Sequence, residues 1–111
     1  MKVIENIKDF RELTKNKKLI IVDFFAVWCG PCVMLTPSLT NLQEKYGNDN
    51  IEIVKVDVDN ENLAELCEEC EITCMPTIVF YFNNELQINR IEGANVNAIE
   101  SSIKEFIEKL I

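Results

Sequence analysis

Two cysteines separated by two residues stand between an apolar run and a stretch with helical periodicity. The pair, Cys29 and Cys32, encloses a glycine and a proline. The run 19–27 before the pair is typical of a buried strand, and apolar residues recur at helical spacing over 33–46. A strand that enters a helix through this pair indicates an α/β unit with the first cysteine at the helix N-terminus.

This position has a chemical consequence for the first cysteine. The unpaired backbone N–H groups and the dipole at a helix N-terminus favour a thiolate over a thiol. The thiolate is the form that attacks disulfides, and two thiols at this spacing can close a small ring. The sequence therefore predicts thiol–disulfide exchange. The alternative, half of a zinc site, requires two further ligands.

Composition excludes several other classes of function. The chain has 111 residues, which fits one domain over 1–111, and a net charge of −8 without a basic face for nucleic acid. It contains no histidine, which excludes Ser–His–Asp triads and imidazole metal sites, and we expect no metal. Asp23 interrupts the longest apolar run, so we expect no membrane span. Residues 1–6 lack the apolar segment of a secretory signal, and we expect a cytoplasmic protein.

The periodicities predict the order β-α-β-α-β-α-β-β-α, a mixed sheet with helices on both faces. The strands are expected over 3–4, 19–27, 51–58, 77–82 and 86–91. The helices are expected over 6–15, 32–46, 63–70 and 99–110. Pro37 should kink the second helix, and Asn95 or Asn97 should cap the last one.

Short motifs spread over essentially the whole chain resemble the thioredoxin family. They are Val22-Asp23-Phe24, Trp28-Cys29-Gly30-Pro31-Cys32, Pro37, Lys55-Val56-Asp57, Met75-Pro76-Thr77 and Gly93-Ala94-Asn95. The resemblance implies the thioredoxin fold, a three-layer α/β/α arrangement with a central mixed five-stranded sheet and four helices. It also implies a reversible dithiol that reduces protein disulfides.

The resemblance gives the two sulfurs separate roles. Cys29 would be the nucleophile that forms a mixed disulfide with the target, and Cys32 would be the resolving thiol that releases it. Gly30 and Pro31 would set the geometry of the ring. Proline near the start of a helix loses no needed hydrogen bond.

Asp23 is a carboxylate inside an apolar strand, where lost hydration should raise its pKa. It is therefore a candidate proton acceptor for Cys32, and the alternative is a buried aspartate that only caps a backbone group. Lys55 resembles the lysine that lies near this carboxylate in the family, as a modulator. A lysine that reaches water from the edge of its strand is the alternative.

The resemblance also implies a docking groove for extended substrates. Met75-Pro76 resembles the family's cis-proline loop, which offers its backbone to a substrate as one more strand would. The groove would be lined by Trp28, Gly30, Pro31, Met75, Pro76, Gly93 and Ala94. For Trp28 the alternative is packing in the core.

Three further cysteines fall outside the redox pair. Cys67 and Cys70 share an apolar helical stripe and are expected to be small buried hydrophobes. Cys74 resembles an extra cysteine of animal thioredoxins, which would be a regulatory or intermolecular thiol, but we favour a free thiol without essential function. Val27 and Val33 place apolar residues on both sides of the dithiol.

The resemblance implies a chain without a bound cofactor. Its partner would be a flavoprotein, thioredoxin reductase, which supplies electrons from NADPH through FAD. Its targets would be disulfide-containing proteins such as peroxiredoxins and ribonucleotide reductase, and the chain would be a monomer. A binding subunit with an incidental dithiol is the alternative function. A secretory oxidase or isomerase is disfavoured by Gly30 and Pro31 between the cysteines.

Overall fold

The computed structural model describes residues 1–111, which form six strands and four α-helices. The strands are β1 (Lys2–Val3), β2 (Leu19–Phe25), β3 (Ile51–Asp57), β4 (Thr77–Phe82), β5 (Glu85–Leu86) and β6 (Ile91–Glu92). The helices are α1 (Ile7–Asn16), α2 (Gly30–Tyr46), α3 (Ala64–Glu69) and α4 (Val96–Leu110), and a 3₁₀ turn, Glu61–Leu63, precedes α3. None of the helices has the length and apolarity needed to cross a bilayer.

The strands form one mixed sheet in the order β1-β3-β2-β4-β5, and β6 also pairs with β4. The strands β1, β3 and β2 run parallel, whereas β4 is antiparallel to β2, β5 and β6. The predicted fold class, with its mixed sheet and four helices, is confirmed. A sheet of this kind is covered by helices on both faces, which explains why β2 is apolar on both faces except at Asp23.

The predicted fifth strand, 86–91, is divided into the two short strands β5 and β6. Arg90, which lies between them, donates hydrogen bonds to the backbone carbonyl oxygens of Cys70 and Glu71. This guanidinium ties the segment to the end of α3, so its middle leaves the sheet. The hairpin turn that joins β4 and β5 has Asn83 and Asn84 at φ 51° and 67°, a conformation that asparagine tolerates.

Alternation along β2 divides its side chains between two apolar cores. The even-numbered residues Ile20, Val22 and Phe24 pack in a core with α1 and α3. The odd-numbered Leu19 and Ile21 face a second core with α2 and α4. Because successive side chains alternate between the faces of a sheet, the next odd position, residue 23, also faces α2.

The helix α2 begins at Gly30, two residues earlier than predicted, with Cys29 as its N-cap. Pro37 lies inside the helix, as the sequence indicated. Near its end, the side-chain oxygen Oε1 of Gln43 accepts a hydrogen bond of 2.7 Å from the Ile53 N–H of β3. The cap of α4 is Asn95, whose Oδ1 accepts a hydrogen bond from the N–H of Ala98.

Candidate active site

The two sulfurs lie where β2 leads into the first turn of α2. Cys29 and Cys32 are joined by a disulfide, with their Cα atoms 5.3 Å apart. The Cys29 Sγ also accepts a hydrogen bond of 3.2 Å from the N–H of Cys32, one of the donors that have no partner inside the helix. Cys29 is 7% exposed and Cys32 is 1% exposed, so the first cysteine is the more accessible residue.

A loop before β4 approaches this disulfide from the side. The Met75–Pro76 peptide bond is cis, and the carbonyl oxygen of Met75 lies 3.7 Å from the Cys29 Sγ. The carbonyl oxygen of Pro76 accepts a hydrogen bond of 2.8 Å from the N–H of Gly93. Gly93 has φ 99°, a backbone conformation that favours glycine. The structure thus brings the predicted loop, 75–76, and Gly93 together beside the dithiol.

A shallow pocket of about 250 Å³ lies on one flank of the dithiol. Its lining is apolar and includes Pro31 and Ala94, two residues that the sequence assigned to the docking groove. Around the dithiol four large apolar side chains are 61–79% exposed. We call this set the apolar rim; its members are Val27, Trp28, Val33 and Met34.

Trp28 does not pack in the core, since it is 68% exposed. Its indole Nε1–H donates a hydrogen bond of 2.8 Å to the Asp59 carboxylate. Sequence reasoning missed Asp59. The available signal was topological: β2 and β3 are parallel, so the residues that follow them meet at the same edge of the sheet.

Asp23 and Lys55 are register neighbours on β2 and β3, and both face α2. Asp23 is completely buried, and neither of its carboxylate oxygens accepts a short hydrogen bond. The Lys55 Nζ lies 3.5 Å from Asp23 Oδ2, an ion-pair distance at the outer limit of a hydrogen bond. Burial raises the pKa of Asp23 to about 6, while the positive charge of Lys55 acts in the opposite direction.

The Lys55 ammonium is held inside the protein and does not reach freely into water. Lys55 is 9% exposed, and its Nζ donates a hydrogen bond of 2.8 Å to the Thr36 Oγ1. The same Nζ lies 4.5 Å from the centre of the Phe25 ring, a cation–π contact. Sequence reasoning missed Thr36, although its position four residues after Cys32 puts both on one face of α2.

A cleft of about 380 Å³ reaches this group of residues from the surface beside the dithiol. Its lining includes Cys32, Thr36 and Lys55, together with the side chains of Val27 and Val33 from the apolar rim. The cleft gives solvent a path toward the region between the second sulfur and the lysine. Nowhere do three or more potential metal ligands lie together.

The three remaining cysteines are free thiols. Cys70 is buried as expected, with its Sγ 3.3 Å from the Tyr81 hydroxyl, and burial raises its pKa to about 11. Cys67 is only partly buried, which corrects the expectation of a fully buried hydrophobe, and burial raises its pKa as well. The Sγ of Cys74, also partly buried, lies 3.5 Å from the Thr77 hydroxyl.

A disulfide at a helix N-terminus, more accessible at one sulfur and surrounded by exposed apolar side chains, has the chemistry of thiol–disulfide exchange. The class of protein that this fold and site define is a disulfide oxidoreductase that acts on other proteins.

Comparisons with known proteins narrow this class to one family. The thioredoxin family model matches residues 2–107. A thioredoxin of Coprinus comatus is 41% identical over 104 residues, covering 94% of this chain and 95% of the relative. The crystal structure of oxidised mitochondrial thioredoxin 3 from Saccharomyces cerevisiae matches with a TM-score of 0.84 at 40% identity, covering 95% of this chain and 94% of that chain.

A third match comes from a structure that describes thiol resolution in yeast mitochondrial 1-Cys peroxiredoxin through the glutathione and thioredoxin systems. That chain has a TM-score of 0.84 and 39% identity, covering 95% of this chain and 94% of its own length. The chain described here belongs to the thioredoxin family.

Membership defines the activity. The protein is a thiol–disulfide oxidoreductase that reduces protein disulfides through the Cys29–Cys32 pair, and an NADPH-dependent thioredoxin reductase regenerates the dithiol. The disulfide itself is the redox group, and thioredoxins work without a bound cofactor.

Proposed function

We propose that Cys29 is the attacking sulfur and Cys32 the resolving one. The Cys29 thiolate attacks one sulfur of the target disulfide, forms a mixed disulfide and expels the first target thiolate. Cys32 then attacks the Cys29 Sγ, closes the ring and expels the second target thiolate. The target gains two electrons and the dithiol loses two. The observation that carries this assignment is that Cys29 is the more exposed residue of the pair and its Sγ accepts a hydrogen bond from an N–H at the helix N-terminus.

Asp23 is the proton acceptor for Cys32 in this proposal. Its support is the alternation of β2, which turns the carboxylate toward α2, and its complete burial. A pKa of about 6 leaves the carboxylate mostly ionised at neutral pH but much more basic than an exposed aspartate. Lys55, at ion-pair distance, modulates that basicity.

Targets dock in an extended conformation across the cis-proline loop. Met75 offers its backbone, and Trp28, Gly93 and Ala94 provide apolar contact, while Gly30, Pro31 and Pro76 shape the surface. The proposal is supported by the 3.7 Å approach of the Met75 carbonyl oxygen to the Cys29 Sγ. Exposed apolar side chains around a reactive group are typical of a protein-docking surface.

We propose further that residues 1–111 act as one monomeric, cytoplasmic domain. A continuous sheet and a family match over 2–107 support the single domain. Three free thiols outside the redox pair fit a reducing compartment.

Peroxiredoxins are proposed as targets. The support is the similar yeast chain, whose structure was determined to describe how the thiol of a peroxiredoxin is resolved. Cys74 is proposed as a free thiol without essential function, and a regulatory thiol is the alternative.

The experiment that tests the two sulfur roles uses Cys32→Ser with Cys29→Ser as its matched control. Cys32→Ser should retain target proteins as mixed disulfides that strong reductant releases, because the second exchange is blocked. Cys29→Ser should retain none, and neither variant should reduce insulin disulfides with NADPH and thioredoxin reductase. Trapping by Cys29→Ser in place of Cys32→Ser would reverse the assignment. Partners held under strong reductant by both variants would favour a binding subunit.

A further inference from the structure

One hydroxyl group connects the resolving cysteine to the buried lysine. Thr36 lies on α2, one turn after Cys32 and on the same face of the helix. Its Oγ1 accepts a hydrogen bond of 2.8 Å from the Lys55 Nζ and donates one of 3.3 Å to the carbonyl oxygen of Cys32. A hydroxyl has one proton to donate and lone pairs that accept, so both bonds can form together.

The Lys55 ammonium has two neighbours that attract it, and its distances to them differ. Thr36 Oγ1 lies 2.8 Å from the Lys55 Nζ, a normal hydrogen-bond distance, whereas Asp23 Oδ2 lies 3.5 Å from it, at the outer limit of a hydrogen bond. A carboxylate is the stronger acceptor for an ammonium, since hydrogen bonds between charged groups exceed those to neutral ones. The ammonium nevertheless stays on the neutral hydroxyl.

The surroundings leave few other groups to act on the carboxylate. On β3 its register neighbour is Lys55, and on β4 it is Ile78, which carries no charge. The titratable group that α2 contributes to the adjoining cleft is Cys32, which is held in the disulfide in the oxidised form. Apart from burial, the position of one ammonium is therefore the main influence on the pKa of Asp23.

We propose that Thr36 is a positioning residue, which keeps the Lys55 ammonium near the Asp23 carboxylate but beyond the distance of a short hydrogen bond to it. The carboxylate thereby keeps both oxygens free to take a proton from the direction of α2. This inference rests on the proposed role of Asp23 as the acceptor for Cys32. It adds a residue that sets how basic that acceptor is.

The test is the titration of Asp23 in the oxidised protein, where Cys29 and Cys32 do not titrate. Carboxyl carbons are followed by ¹³C NMR in aspartate-labelled protein, and Asp23→Asn identifies the signal. In Thr36→Val, which keeps the shape but removes the hydroxyl, Lys55 should close onto Asp23. The midpoint of the Asp23 titration should then fall by about one pH unit. Thr36→Ser, which restores the hydroxyl, should return it to the wild-type position.

Two controls separate positioning from a general effect on the helix. Thr40→Val removes a hydroxyl one turn further along α2, where it bonds only to the Thr36 carbonyl oxygen, and should leave the midpoint unchanged. In a Lys55→Met background Thr36→Val should also have no effect, because Thr36 acts through the lysine. An unchanged or raised midpoint in Thr36→Val, or an equal shift without the lysine, would overturn the proposal.

A second measurement separates the positioning role of Thr36 from the proposed role of Asp23 as proton acceptor. The pH profile for resolution of a mixed disulfide is measured in wild type and in Thr36→Val. A profile that shifts together with the carboxyl midpoint supports both assignments. A midpoint that moves while the profile stays in place supports the positioning role and contradicts the acceptor role. Should Thr36→Val not fold, Thr36→Ala carries the same expectations.

Discussion

Asp23 is a carboxylic acid without exposure and without a close hydrogen-bond donor on either oxygen. Burial of a charge that a single ammonium 3.5 Å away offsets only in part is costly, and the group lowers that cost by holding its proton to higher pH. Its pKa rises from 3.8 to about 6, mainly through burial, with the Lys55 charge opposing the rise. The residue therefore favours proton transfer and disfavours folding at neutral pH.

The sign of this effect on stability follows from proton binding. Between pH 3.8 and about 6 the folded protein keeps a proton on Asp23 that the unfolded chain has lost. The stabilisation of the folded state by this retained proton is therefore fully present below pH 3.8 and is lost as the pH rises through about 6. At pH 7 the loss amounts to about 3 kcal/mol, as an order of magnitude.

We predict that Asp23→Asn stabilises the protein progressively as pH rises. The difference in unfolding free energy between variant and wild type should increase by about 2 kcal/mol from pH 4 to pH 7. Urea unfolding followed by circular dichroism at several pH values measures it. The control Asp49→Asn removes the same charge from an exposed turn. A difference between Asp23→Asn and wild type that is independent of pH would contradict the prediction.

At the scale of elements, the junction of α2 and β3 depends on one glycine. Gly47 follows the last turn of α2, and its backbone N–H bonds to the Gln43 carbonyl oxygen. The Gln43 side chain turns across this glycine to accept the Ile53 N–H of β3. A Cβ on residue 47 would lie 2.5 Å from the Gln43 carbonyl oxygen and would overlap its side-chain amide.

Gly47→Ala should therefore destabilise the protein by about 2 kcal/mol, since overpacking adds to an unsatisfied N–H on Ile53. Chemical denaturation gives this value, and amide hydrogen exchange at Ile53 should become faster. The matched control is Gly30→Ala in the oxidised protein, because an added Cβ there meets no atom within 4 Å. Equal stability of the two variants would show that the space around Gly47 is not restrictive.

The elements that the sequence predicts well are those with a strong apolar period. The strand β2, predicted over 19–27, and the helix α4, predicted over 99–110, follow from the apolar pattern in type and place, because β2 is buried on both faces and α4 on one. The division of 86–91 into two strands does not follow, since it depends on a side chain, Arg90, that bonds to the distant end of α3. Long-range partners of this kind leave no local pattern.

The residues of the active site divide in the same way, into those with a local sequence signal and those that depend on a distant partner. The dithiol and Asp23 stand out because each breaks the pattern around it, a thiol pair at a helix start and a charge in an apolar strand. Asp59 and Thr36 do not stand out, because an aspartate in a turn and a threonine on a helix are ordinary. Their partners, Trp28 and Lys55, are fixed only when the strands are brought into register.

At the scale of the whole molecule, the redox state and the stability of the fold are linked. A disulfide restricts the unfolded chain more than the folded one, in which the two sulfurs are already held close together. In the chain-entropy model a loop of this length is worth about 2 kcal/mol. Because folding and oxidation are linked in one thermodynamic cycle, folding favours closure of the disulfide ring by the same amount. The dithiol of the folded protein is therefore a stronger reductant than that of the unfolded chain.

We predict that the oxidised protein is more stable than the reduced protein by about 2 kcal/mol. Urea unfolding with and without reductant, at one pH, measures the difference. Cys32→Ser cannot close the ring, so reductant should leave its unfolding midpoint unchanged. A reduced wild type as stable as the oxidised form would mean that folding contributes nothing to the reducing strength of the dithiol.

The borders of the sheet have a consequence for crowded solutions. The strands β1, β5 and β6 at these borders are each two residues long. Next to the residues of β3 that pair with β1, the Ile53 N–H donates a hydrogen bond to the Gln43 side chain. Aggregating chains grow by adding strands to long unpaired edges, and strands of two residues offer little backbone for such pairing. The folded protein should therefore be a poor template for fibril growth, even where it collides often with unfolded chains.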